Sequence, residues 1–400
     1  MIKLRTNERV LLFILIFLNL ALLSFSISNL SISYDEAKIY YESSGFLHNV
    51  ITFSTRVFGQ NDYALRLPFL FIHSLNTILI YKISKPMLKK QIDRMICATL
   101  YMYLPGVLAS AILVNEAGFI IFLTLLFIFF EQNKMPLKGV FTLIATLFLS
   151  ESFINLYIAI LLFGLYKKDK NCKISGVIFC LLWFYMQGIE TYGKPKGHFI
   201  DALGVFAAVF SPLVFLCFIY SAYRIWIKEE KNLLWFISIT AFFFALGLSM
   251  RQKLSLELFL PYCVIFMPLI VKVMLNSYRV RLPMFRTKHK IAAVLILSTL
   301  FLNSLASIFH TFLYLFLDKP QSHFAYKYDV AKELSDRLKK FGISSIKTSK
   351  ELALRLKFYG ISSGDEYELN KFKKQNCENK AIRIVKFKKI IDRYYICKIK

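Results

Sequence analysis

Long apolar runs separated by short polar stretches dominate this chain. Eleven runs stand out, at 10–28, 65–84, 95–114, 117–130, 139–150, 152–166, 174–189, 200–222, 232–249, 255–275 and 291–317. A helix needs roughly 17–25 mostly apolar residues to cross a bilayer. The runs between 117 and 166 are short, and 139–166 also reads as one span broken at Glu151. The first run is longer than the roughly 7–15 apolar residues of a signal peptide, so it reads as a retained anchor. The pattern predicts an all-α polytopic membrane bundle of about 11 transmembrane helices over residues 1–317.

Two segments break the pattern. In the first polar loop, 29–64, the residues Ile39, Phe46, Leu47, Val50, Ile51, Val57 and Phe58 fall near helical spacing. Ser43, Ser44, His48, Asn49, Ser54 and Thr55 occupy much of the rest. That spacing predicts one amphipathic helix lying in the membrane interface. Beyond 317, "DVAKELSDRLKKFG" has helical spacing through Val330, Leu334, Leu338 and Phe341, and stops at Gly342. "SSIKT", "KAIRIVKF" and "RYYICKIK" read as strands. Residues 318–400 are therefore expected to form a small α/β domain.

Composition supports a membrane protein. Of the 400 residues, 56% are hydrophobic, against roughly 45–50% in soluble domains. The net charge of +26 would suggest nucleic acid in a soluble protein. Here its distribution follows topology. With the N-terminus inside, the inner segments 1–9, 82–94, 131–138, 167–173, 223–231 and 272–290 carry 23 Lys and Arg. The outer loops before 318 carry seven. This positive-inside bias predicts a cytoplasmic N-terminus in the inner membrane, and an odd span count puts the C-terminal domain in the periplasm. No nucleic-acid partner is needed. From 319 on, 21 basic residues face nine acidic ones, either as a solvated face or toward anionic lipid headgroups.

The seven Cys are scattered, without zinc-ligand spacing. Cys97, Cys180, Cys217 and Cys263 lie in apolar runs and read as core. Cys377 and Cys397 share the outer tail, but a simple hairpin through Lys389–Arg393 does not set them opposite each other.

Candidate chemistry gathers on the predicted outer side. Asp35 and Glu36 follow the first span directly. On a helix, adjacent residues point about 100° apart, so at most one of them serves as a base and the other orients, binds a cation or caps. Both are equally readable as a helix N-terminus. Glu116 in "LVNEAG" and Glu151 in "LSESF" flank apolar runs, where a carboxylate at mid-span would cost roughly 2.5–3.5 kcal/mol. Headgroup-level turns are the alternative for both. Later outer loops hold Lys194, Lys196 and His198, then Arg251 and Lys253. Outer cations run against the topological bias and suit an anion. His73, His289 and His310 read as structural. A base opposite cations at a bilayer surface suits group transfer from a lipid phosphate.

On these residues the chain resembles the polytopic GT-C glycosyltransferases that use lipid-phosphate sugars, in the branch of protein O-mannosyltransferases and bacterial aminoarabinose transferases of lipid A. "YDEA" and "VFGQNDYALRLPFLF" carry most of the likeness, through Asp35, Phe58, Gly59, Asn61, Ala64, Arg66, Leu67 and Pro68. "LVNEAGFIIF" stands where such enzymes have a second acidic motif. "RQKLSLELFLP" is similar to a later Lys-Leu…Leu-Pro stretch, and "LRLKFYG" to part of the outer domain. The resemblance implies inverting transfer of a sugar from a polyprenyl-phosphate donor, such as undecaprenyl phosphate, to a glycolipid, glycan or protein. Asp35 is then the general base. Glu36, Arg66, Glu116, His198, Arg251 and Lys253 are the expected substrate-binding residues. Some members bind a divalent metal. Two other classes remain: a transporter or flippase of a lipid-linked glycan, which usually shows internal repeats and broken mid-membrane helices, and a non-catalytic scaffold. The sequence shows no internal repeat.

Overall fold

The computed structural model describes residues 8–187, 197–251, 256–372 and 377–398. It is mostly helical, with one small antiparallel sheet near the C-terminus. The chain divides into two compact units. One comprises residues 1–19, 71–111 and 115–304, and the other 20–70, 112–114 and 305–400. The second unit thus joins the first polar loop to the tail, although most of the chain lies between them.

The chain is a multi-pass membrane protein. Helices Glu8–Ser28, Asp62–Ser84, Leu260–Val280 and Pro283–Ile308 are long and apolar enough to cross a membrane. Two helix pairs meet the same test together but are bent. Gln91–Met102 and Pro105–Ile112 meet at 60°, and Phe199–Phe210 and Pro212–Lys228 at 103°. A proline opens the second helix of each pair, and without an N–H it cannot continue the hydrogen-bond ladder. Ala117–Gln132, Pro136–Leu147 and Leu233–Ser249 are shorter apolar helices. The stretch 139–166 is broken as its sequence suggested, by a 3₁₀ turn at Glu151–Phe153 before helix Ile154–Lys167. The last apolar helix starts at Pro283, well before the run at 291, and takes in Arg286, Lys288 and Lys290. Such long basic side chains reach outward from a helix end to the interface.

Aromatic packing fills the first unit. The Phe218 ring lies 5.0 Å from Phe266, 5.3 Å from Phe210 and 5.4 Å from Phe242. Polar contacts cluster at the helix ends of one side. Arg94 meets Glu8 at 2.5 Å, and Arg279 grips Asp93 with two bonds of 2.5 and 2.7 Å. Lys272 meets Glu229 at 2.6 Å, Lys167 meets Glu230 at 2.8 Å, and the Cys172 thiol donates to Glu131 at 3.9 Å. These contacts link all six segments assigned to the inner side by charge, so those segments share one end of the bundle.

In the second unit, helices Tyr34–Tyr41 and Phe46–Phe58 replace the single amphipathic helix expected over 39–58. Ser43, Ser44 and Gly45 interrupt it, since Ser competes with helical bonding and Gly opens the next helix. On Phe46–Phe58, Phe53, Val57 and Phe58 point outward while Ile51, Ser54 and Thr55 are buried. An apolar face turned outward suits a helix lying in a membrane interface.

The tail packs helices Ala331–Lys340 and Lys350–Phe358 beside strands β1 (Tyr367–Asn370), β2 (Cys377–Lys386) and β3 (Lys389–Lys398), in the order β1-β3-β2. Leu334 and Leu338 are buried and Gly342 ends the helix at φ +73°, whereas Phe341 is exposed. "SSIKT" makes only isolated bridges, from Ser345 and Lys347, and β1 supplies the third strand. The β2–β3 turn is tighter than the hairpin through Lys389–Arg393. Phe387 and Lys388 turn with positive φ values of 47° and 65°, as primed hairpin turns require. With two register shifts, this places Cys377 opposite Cys397, and Cys397 is disulfide-bonded.

A buried polar cluster sits beneath the tail sheet. Asp329 accepts from Tyr314 at 2.7 Å and meets His310 at 3.1 Å. His323 stacks on Tyr314, accepts from the Ala325 N–H through Nδ1 and donates through Nε2 to the His310 carbonyl. Burial pushes the His323 imidazole below the usual histidine range, and the His310 carbonyl only partly opposes this. His310, Asp329 and Tyr314 are the titratable groups facing it among the described residues. Protonation therefore favours the unfolded chain. The stability that neutral His323 confers is present above the unfolded value of 6.5 and is lost as pH falls through it. Thermal midpoints should drop between pH 7.5 and 5.5, and His323→Asn should flatten that slope.

Candidate active site

The Asp-Glu pair is split by its helix. Ser33 caps Tyr34–Tyr41: its hydroxyl accepts from the Glu36 N–H at 3.2 Å, and the Ser33 N–H donates to Glu36 Oε2 at 2.9 Å. This reciprocal box satisfies two backbone donors at the helix start. It also turns Glu36 inward, where the residue is 2% exposed. Glu36 Oε2 accepts from Arg66 at 3.1 Å, and Oε1 from the Val114 N–H at 3.1 Å. Arg66 is fully buried and donates further to the Leu30 and Ser31 carbonyls at 3.3 and 3.1 Å. Two residues the sequence placed in substrate binding are thus brought together as an internal pair that fixes the loop 30–36. Asp62, one turn before Arg66, lies 3.9 Å from it and meets Lys332 at 2.9 Å.

Asp35 points the other way. It is exposed and makes no side-chain hydrogen bond or ion pair among the described residues. The helix cap is Ser33, so Asp35 is not needed as one. A free carboxylate is held at the start of a rigid helix, one residue from a buried anchor.

The remaining candidates lie in the first unit. Glu116 precedes helix Ala117–Gln132 and is half-buried. Burial pushes its carboxyl up, a hydrogen bond from Ser150 pulls it down, and the nearby Glu151 adds to the rise. Ser152 and Tyr262 share a hydrogen bond at 3.2 Å beside this group. Neither Ser150 nor Tyr262 was singled out by sequence, although Tyr262 directly follows the Leu-Pro of the later motif. The His198 N–H donates to the Ser249 carbonyl at 2.9 Å, which brings its loop to the turn of Arg251. The His198 ring meets Asp201 at 3.2 Å, and Arg251 is exposed. Lys253 lies outside the described residues.

The donor set at Asp35 does not fit a resident divalent metal. Such ions take several oxygen ligands, but Glu36 and Asp62 are engaged with Arg66, Lys332 and backbone N–H groups. Only Asp35 remains.

Comparison with known proteins then gives the fold. No family model matches the sequence, and no curated protein matches it. Among solved structures, the chain is similar to ArnT from Cupriavidus metallidurans in the apo state, with a TM-score of 0.55 at 8% identity, covering 98% of this chain and 99% of that one. It is also similar to ArnT from the same organism bound to undecaprenyl phosphate, with a TM-score of 0.56 at 10% identity, covering 99% and 98%. The chain shares the overall fold of these ArnT structures. The likeness in fold covers nearly the whole chain.

Proposed function

We propose that this protein is a membrane glycosyltransferase that moves a sugar from a polyprenyl-phosphate donor to a hydroxyl of a glycolipid, glycan or protein. The observation that carries the reading is the free, exposed Asp35 on a helix anchored by the buried Glu36–Arg66 pair. The full-length likeness to ArnT, one structure of which is bound to undecaprenyl phosphate, supports that carrier as the donor lipid.

In this scheme the acceptor hydroxyl attacks the anomeric carbon from the side opposite the phosphate. The new C–O bond forms as the bond to the phosphate oxygen breaks, so the configuration inverts. Asp35 takes the hydroxyl proton, and polyprenyl phosphate leaves with the bonding electrons. Arg251 and Lys253 are the cations, and His198 a further polar partner, proposed to receive the phosphate. Glu116 is proposed to contact the sugar. Glu36 and Arg66 serve by fixing the loop rather than by touching substrate.

The proposed topology has eleven spans, a cytoplasmic N-terminus, and residues 318–400 as an extracytoplasmic domain of the inner membrane. The disulfide-bonded Cys397 supports an oxidising compartment for that domain. Cysteines placed at the exposed positions Phe324 and Phe285 should be labelled from opposite sides of the membrane. Labelling of both from one side would remove this topology. Mass spectrometry of envelope glycans and glycoproteins, with and without the protein, tests the function. A missing sugar on one acceptor class is expected, and an unchanged profile contradicts it.

A further inference from the structure

Contacts within the second unit reach the loop before Asp35 from the far end of the chain. The Ser31 N–H and hydroxyl both donate to the Tyr328 carbonyl, at 2.6 and 2.8 Å. The Ile32 N–H donates to the Tyr359 hydroxyl at 2.9 Å, and that hydroxyl donates to Asp62 at 2.7 Å. Arg355 donates to the Ile32 carbonyl at 2.9 Å and to the Lys327 carbonyl at 2.6 Å. Apart from the Ser31 carbonyl, which accepts from Arg66, the polar groups of Ser31 and Ile32 are therefore met by side chains or carbonyls of the tail. The other end of the Asp35 helix is held too. Lys350 meets Glu42 at 3.1 Å, the Phe358 carbonyl accepts from Gln60 at 2.7 Å, and the Phe358 ring lies edge-on to Tyr40 at 5.6 Å. One tail helix, Lys350–Phe358, thus brackets the helix that carries Asp35.

We infer that Tyr359 and Arg355 are positioning residues for Asp35, so that the tail domain sets the reaction geometry. This rests on the reading of Asp35 as the base. The Tyr359 hydroxyl is the pivotal atom, because it joins the backbone at Ile32 to Asp62, which neighbours the Arg66 anchor. Without it the loop keeps its anchor at Glu36 but loses the hold one residue before the Ser33 cap. Displacing a reacting group by about 1 Å costs on the order of 10²-fold in rate.

The test uses the 400-residue chain in nanodiscs, with undecaprenyl-phosphate-linked sugars and a glycolipid and glycoprotein extract of the same host envelope as donor and acceptor, and release of undecaprenyl phosphate as readout. Tyr359→Phe should lower kcat by about 10–100-fold and leave the donor KM within about twofold. Hydrogen exchange should rise over residues 30–36. Ile384→Val, in the buried tail core away from the loop, lowers the thermal midpoint but should keep kcat. A wild-type kcat in Tyr359→Phe overturns the inference, as does an equal loss in Ile384→Val. If Tyr359→Phe does not accumulate, Arg355→Lys takes its place. Lysine keeps the charge but cannot reach both carbonyls, so the same fall in kcat is expected and a wild-type kcat overturns the inference. An inactive Asp35→Asn beside a normal Tyr359→Phe rejects the positioning role alone, whereas a fully active Asp35→Asn rejects the role of Asp35 as base.

Discussion

Asp35→Asn is expected to lower sugar transfer by about 10²–10⁴-fold, the usual contribution of a general base, in a protein that still inserts and folds. Asparagine matches aspartate in size and hydrogen-bonding shape but cannot accept the hydroxyl proton. The side chain is exposed and unpaired among the described residues, so its replacement disturbs no packing. A helix-capping role would give another pattern, because Asn caps as well as Asp while Ala does not. The cap is Ser33, so Asp35→Ala should also fold. Thermal melts alongside a transfer assay check this. Normal turnover in Asp35→Asn removes its catalytic role.

The neighbouring carboxylate should behave in the opposite way. Glu36→Gln leaves the buried Arg66 guanidinium facing a neutral amide in place of its 3.1 Å carboxylate, and Arg66→Met strands Glu36. Removing one member of a buried ion pair typically costs about 3–5 kcal/mol, because the other charge stays buried and uncompensated. Both single variants should lose most of their folded yield or melt far below wild type. Asp62, 3.9 Å from Arg66, moderates the loss in Glu36→Gln, so Arg66→Met should be the worse of the two. The double variant Glu36→Gln/Arg66→Met should recover part of the stability, since no charge is then stranded. Fluorescence-detected gel filtration across a temperature series reads all three. A wild-type melt in Arg66→Met would return that side chain to substrate binding.

Much of this was legible in the sequence, for local reasons. Apolar runs of spanning length marked the helices, and the ion pairs Arg279–Asp93, Arg94–Glu8 and Lys272–Glu229 join segments that the basic loops had grouped together. The spacing Ser33-x-x-Glu36 is a capping box written in four residues, and it already separates the two carboxylates. Other features depend on partners far along the chain. Nothing local to Glu36 announces a bond from the Val114 N–H, and nothing near Tyr359 points to Ile32 and Asp62. The split of the interfacial helix at Ser43–Gly45 was masked by the continuing apolar periodicity. The opposition of Cys377 and Cys397 was hidden by two register shifts and a turn at Phe387–Lys388, a pair that lacks the usual Asn-Gly signal.

The most direct test places the purified protein in proteoliposomes with undecaprenyl-phosphate-linked sugars and an envelope extract of glycolipid and glycoprotein acceptors, and follows the donor lipid. A transferase yields free undecaprenyl phosphate and an equal amount of glycosylated acceptor, with Asp35→Asn giving little of either. Passage of intact donor across the bilayer, with no undecaprenyl phosphate released, would contradict the assignment and identify a flippase instead.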